Sequence, residues 1–102
     1  MGRLFSLTYP TALVLVAIRH GHRYGFDVMD ATGLPDGTVY PILRRLESRG
    51  VLEGAWEDAA LAHAEQRPPR KYYRLTPVGE GALGEVIDRF PTLSRLFEPR
   101  PS

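Results

Sequence analysis

The sequence predicts an α+β domain, mostly helical, with one short antiparallel hairpin set between helices. Three observations predict it. Residues 36–50 place Val39, Ile42, Leu43 and Leu46 at the i, i+3, i+4, i+7 spacing of one helix face. After Gly50 the pattern changes to two stretches of strand character, Val51–Glu57 and the aromatic, alternating Arg70–Thr76. After Thr76-Pro77 it returns to helical spacing, with Leu83, Val86, Ile87 and Phe90 at the same interval. A chain of 102 residues supports a single modest core and not two.

Each element has its own signals. Thr8 suits the N-cap of a first helix, and Pro10 is tolerated in a first turn. Leu13-Val14-Leu15-Val16-Ala17-Ile18 makes that helix apolar nearly all round, which predicts the buried centre of the domain; Gly21 ends it. Residues 24–32 read as a short second helix, followed by the tight break Gly33-Leu34-Pro35. In the third helix Asp36 is favoured by the dipole at the start, and Arg49 and Gly50 suit the end. Pro41 removes one backbone hydrogen bond and crowds the carbonyl of residue 37. That residue is glycine, so a tightened or slightly bent first turn is expected and not a broken helix. Residues 58–69 read as a long connector between the two strands. Thr76 at the N-cap and Pro77 at the first helical position open the last helix; Pro91 stops it, and residues 92–97 add one more turn.

Two short helices joined by a glycine-containing turn form a helix-turn-helix, whose second member enters the DNA major groove. Helix, strand, loop and strand directly after it complete a winged helix-turn-helix, with a two-stranded wing and a C-terminal dimerisation helix. The expected layout is one domain over 1–102: helix-turn-helix about 24–50, wing about 51–76, C-terminal helix about 77–97.

The formal charge of +1 announces no polyanionic partner, so the distribution of charge has to. Residues 67–74 carry four positive charges and no negative one, the densest basic patch in the chain, where a wing would meet phosphate. The absence of cysteine excludes disulfides, thiol nucleophiles and cysteine-ligated zinc. The apolar run 12–18 falls far short of the about 20 residues that span a bilayer, and no cleavage site follows it. No membrane partner and a cytoplasmic location are therefore expected. His20 and His22 have no accompanying cluster of metal ligands, no glycine-rich phosphate loop is present, and no paired acid and base stand out. No cofactor, metal or enzymatic activity is expected.

With these elements in place, the chain resembles the PadR family of bacterial transcriptional regulators. The resemblance rests on Tyr24-Gly25-Phe26-Asp27; on Gly37-Thr38-Val39-Tyr40-Pro41 with Arg44-Arg45-Leu46-Glu47 and Gly50-Val51-Leu52; and on Pro68-Pro69-Arg70-Lys71-Tyr72-Tyr73-Arg74-Leu75-Thr76. It implies a repressor that binds inverted-repeat operator DNA as a homodimer pairing through N- and C-terminal helices. Some members respond to phenolic or other hydrophobic small molecules, so the resemblance also implies an effector. Two departures stand out. Pro35 occupies the place of a serine cap, and Arg67 that of a glycine before the wing prolines. A winged helix used only as a protein-interaction module is the alternative.

The candidate DNA-binding residues follow from position. Tyr40, Pro41, Arg44 and Ser48 point away from the apolar face of the third helix, with Thr38 and Arg45 flanking them. Arg44 is the first choice for a guanine edge, because its guanidinium can bond both acceptors. Arg45 suits phosphate, and Thr38 and Tyr40 suit backbone contacts. Arg70 and Lys71, with Arg67 third, are assigned to wing–phosphate contacts. Tyr73 is expected in the core with Tyr72 more exposed, since the two point to opposite strand faces. Trp56 is expected to pack. The stripe Leu83, Val86, Ile87 and Phe90 is expected to mediate dimerisation.

Overall fold

Thr8 opens the first helix as expected: its hydroxyl accepts the Thr11 N–H, and Pro10 sits in the first turn of α1 (Tyr9–Arg19). Every residue from Thr11 to Ile18 is buried, so α1 is the axis of the domain. The structure is a computed structural model that describes residues 7–96. In chain order α1 is followed by α2 (Gly25–Thr32), α3 (Asp36–Ser48), β1 (Leu52–Trp56), α4 (Ala59–Ala64), β2 (Lys71–Leu75), α5 (Pro77–Arg89) and α6 (Leu93–Leu96). Phe97, the last residue of the predicted final helix, lies outside the described residues. No described helix is long and apolar enough to cross a membrane.

The buried residues of α3 are Val39, Ile42, Leu43 and Leu46, the four that the spacing selects. Full burial of each such side chain contributes roughly 1.5–3 kcal/mol, so this face alone fixes the helix on the core. The C-terminus closes as a Schellman motif. Gly50 takes a left-handed conformation (φ 74°), its N–H bonds the Glu47 carbonyl at 3.0 Å, and the Val51 N–H bonds the Leu46 carbonyl at 2.9 Å. At the start, Pro35 holds the cap position with no side-chain hydrogen bond. Its carbonyl instead accepts from both Thr38 and Val39 at 3.0 Å, a tightened first turn. The helix runs unbroken through Pro41.

The wing is a two-stranded antiparallel sheet in the register Leu52↔Leu75, Gly54↔Tyr73 and Trp56↔Lys71. Its inner face therefore runs from the core outward in three layers. Arg23 and Tyr24 add a third, minimal edge, through the Tyr24↔Tyr72 bridge and the Tyr73 N–H to Arg23 carbonyl bond of 2.8 Å. At the base of the wing, Thr76 caps α5 by accepting the Gly79 N–H at 3.0 Å. Its hydroxyl also donates to the Gly50 carbonyl and its N–H bonds the Val51 carbonyl at 3.2 Å, which ties α5 to the start of β1. The helix lies so close there that a Cβ on Gly79 would come within 2.1 Å of that carbonyl oxygen.

One expectation needs correction. Residues 58–69 are not a plain connector: Asp58 caps a short helix, α4, by accepting the Ala60 N–H at 2.7 Å. It closes with Gln66 in the left-handed region (φ 59°), the strained position of the loop. The apolar stripe on α5 divides by burial. Leu83 and Val86 are buried in the chain's own core, and Phe90 is half-buried with its ring edge-on to Tyr9, centroids 5.7 Å apart. Only Ile87, 42% exposed, stands clear of the core.

Candidate nucleic-acid interface

The exposed side of α3 and the inner face of the wing form the two walls of an open groove of about 710 Å³. Tyr40 and Arg44 line it from α3, Gly25 and Phe26 from α2, and Trp56, Pro69 and Lys71 from the wing, with buried Tyr73 also on its lining. The sequence explains why the walls fit. The Tyr40 ring lies where a side chain on residue 25 would be, since a Cβ there would come within 2.4 Å of Tyr40 Cε1. Gly25 thus lets the start of α2 approach α3 and leaves Tyr40 partly exposed, at 37%.

The wing is locked to α3 by one ion pair. Lys71 Nζ lies 2.8 Å from Glu47 Oε1, and both side chains are about two-thirds withdrawn from water. The pair crosses the sheet above Gly54, where a Cβ would meet Lys71 Cε at 2.6 Å and Glu47 Oε2 at 2.9 Å. Bonding to Glu47 raises the Lys71 pKa above its ordinary value, against the opposing effect of partial burial. The ammonium also lies 5.6 Å from the Tyr73 ring centroid and 5.9 Å from that of Trp56. Burial pushes the Tyr73 phenol up.

A second node holds the far end of the wing. Glu57, with 9% of its side chain exposed, takes both terminal nitrogens of Arg67, one at 2.8 Å, and accepts the Arg70 N–H at 3.1 Å. The bonds from Arg67 hold the Glu57 carboxyl down to about 2, although burial opposes this. Arg67 in turn binds its proton more tightly than an ordinary arginine, and it also bonds Glu65 at 3.0 Å.

The predicted site residues separate accordingly. Arg44 and Tyr40 share the groove, and Pro41 is exposed beside them on α3. Arg70 is half-buried, its guanidinium 4.2 Å over the Tyr24 ring, and the neighbouring Tyr72 phenol favours its charged form. Thr38 is half-buried at the helix start. Arg45 is exposed but leans toward α1, with a long contact of 3.5 Å to the Thr11 hydroxyl. The Ser48 hydroxyl donates to the Arg45 carbonyl at 2.9 Å. Arg67 and Lys71 are committed to Glu57 and Glu47, and Arg74 to Glu53, so the basic run 67–74 is largely answered within the chain. Trp56, expected to pack, is 69% exposed at the mouth of the groove, because its layer lies beyond the reach of the core. His22 Nδ1 sits 3.1 Å from Asp27 Oδ1, a contact at the entry to α2. Among the described residues no three His, Asp or Glu side chains gather as a metal site.

The sequence pattern of the transcriptional regulator PadR-like family matches residues 14–85. The chain belongs to this family. Solved PadR regulators share its architecture. A PadR-family transcription regulator of Clostridium difficile superposes with a TM-score of 0.68 at 23% identity, over 87% of this chain and 94% of its own. A PadR-like transcription factor from Bacteroides fragilis is 30% identical, with a TM-score of 0.61 over 84% of this chain and 82% of its own. The chain is also similar to Bordetella bronchiseptica BpsR, whose DNA binding is regulated by 6-hydroxynicotinic acid, at 25% identity and a TM-score of 0.67, covering 93% of this chain and 68% of BpsR. As a PadR-family transcription regulator with a winged helix, the protein acts on DNA.

Proposed function

We propose that this PadR regulator is a cytoplasmic, homodimeric, sequence-specific repressor. Each α3 enters a major groove, Arg44 reads a guanine edge, and Thr38, Tyr40 and Arg70 bond the flanking backbone. Two such helices about 34 Å apart call for an inverted-repeat operator. The observation that carries this reading is the pairing of an exposed Arg44–Tyr40 face with a wing fixed beside it by Glu47 and Lys71. Within it Lys71 and Arg67 act by holding the wing in place, since each already has a carboxylate partner. The dimer seam is the apolar patch that the core leaves over: Ile87, Phe90 and the half-exposed Tyr9 on which Phe90 packs. A small hydrophobic effector bound near that seam relieves repression. The regulation of BpsR by an aromatic acid supports this part of the reading. Titration of a promoter duplex and a scrambled duplex across a salt series tests the proposal. A preference for the promoter that persists as salt rises is expected, whereas equal affinities throughout would leave a protein-interaction module as the better reading.

A further inference from the structure

The groove between α3 and the wing has an apolar component that phosphate chemistry does not explain. Trp56 and Phe26 are 69% and 72% exposed, and both line it. Trp56 does not project from the back of the wing. The register puts it on the same sheet face as Leu52 and Gly54, directly across from Lys71, one layer beyond Gly54 and Tyr73 and with the Lys71 ammonium 5.9 Å from its ring. Four cationic side chains, Arg44, Arg67, Arg70 and Lys71, line the groove, and among the described residues no carboxylate does. Arg67 and Lys71 are answered by Glu57 and Glu47, while Arg44 and Arg70 have no salt bridge among the described residues. The occupant that fits is therefore an anion with apolar surface between its charges. A DNA strand has this chemistry, with deoxyribose alternating with phosphate, and it runs alongside a helix placed in the major groove.

We propose that this groove seats the sugar–phosphate backbone of one DNA strand, with the Trp56 indole packed against deoxyribose beside a phosphate held by Arg70, while Arg44 reaches past the backbone to the base edge. The inference rests on the DNA-binding reading and adds to it a contact that salt does not screen. Aromatic packing of this kind depends on apolar area and displaces no counterions, so it adds affinity without steepening the salt dependence.

Trp56 is the single tryptophan of the chain, so indole emission excited at wavelengths the five tyrosines do not absorb reports on its surroundings alone. The probe is a mixed-sequence 40-base-pair duplex at low salt, with complex formation followed in parallel by anisotropy of a dye on the DNA. Indole emission is expected to change in step with anisotropy. Trp56→Ala is expected to weaken binding about tenfold at every salt concentration while leaving the slope of log K against log salt unchanged, and Trp56→Phe to recover most of the loss. Full complex formation with unchanged emission would overturn the proposal and leave DNA binding standing. So would Trp56→Ala binding as the wild type does, or losing salt slope with affinity, which would place the effect in Lys71. Failure of the wild type to bind the duplex at low salt would overturn the DNA reading and this inference together.

Discussion

The Glu47–Lys71 pair is the feature whose removal separates two roles for the wing cation. In one, Lys71 touches phosphate; in the other, it fixes the angle between the wing and α3. The bond is 2.8 Å long, with 32% of the glutamate and 28% of the lysine side chain exposed. Exposed ion pairs contribute about 0.2–1 kcal/mol, and hydrogen bonds to charged groups about 1.5–3 kcal/mol. A partly withdrawn pair with one such bond should then couple by about 1 kcal/mol. In a domain of this size that corresponds to about 4–8 °C in Tm. Glu47→Gln and Lys71→Met, alone and together, form a double-mutant cycle, and methionine keeps the stem that lies across Gly54. Because the pKa of Lys71 is raised, its contribution is complete below its ordinary value of 10.5 and is lost only as pH rises through the raised one; pH 7 is a sound condition. DNA affinity then decides the role. A positioning lysine predicts that Glu47→Gln weakens binding much as Lys71→Met does. A phosphate ligand held back by Glu47 predicts that Glu47→Gln strengthens it. Coupling near zero, or tighter binding by Glu47→Gln, would rule out Lys71 as the residue that sets the wing against α3.

Three further outcomes are expected. Gly79→Ala should destabilise by about 1–3 kcal/mol in urea titration, against the helix propensity of alanine, because its Cβ would meet the Val51 carbonyl at 2.1 Å; equal or greater stability would show that α5 can shift. The Glu57 carboxyl, held at about 2, contributes fully above its ordinary 4.5 and loses that contribution as pH falls toward 2. Thermal melts of wild type and Glu57→Gln should therefore converge over that interval, and a constant gap would remove Glu57 as the cause. Ile87→Glu should yield a folded monomer in light scattering, whereas Leu83→Glu should unfold; an intact Ile87→Glu dimer would move the seam elsewhere.

The four buried residues of α3, the Gly50 stop and the Thr76-Pro77 start were legible because periodicity and caps are local signals. Residues 59–64 escaped because six residues hold too little periodicity to register, although Asp58 before an alanine-rich run marks an N-cap. A stripe such as Leu83–Phe90 states that a face is apolar and not whether its own chain or a second copy covers it. The basic run 67–74 looked free because its partners Glu47, Glu53 and Glu57 lie 10 to 24 positions away in sequence. Trp56 shows the same limit: alternation gives its face correctly, but not the distance at which the core ends.

The proposed regulator stands or falls on whether the outward face of α3 reads base sequence. Its most direct test is the affinity of Arg44→Ala for a duplex recovered by selection from a random pool, and for each single-base-pair variant of that duplex. A loss of about 1–3 kcal/mol, with discrimination relaxed at one position in each half-site, is predicted. Unchanged affinity and an unchanged preference at every position would contradict it.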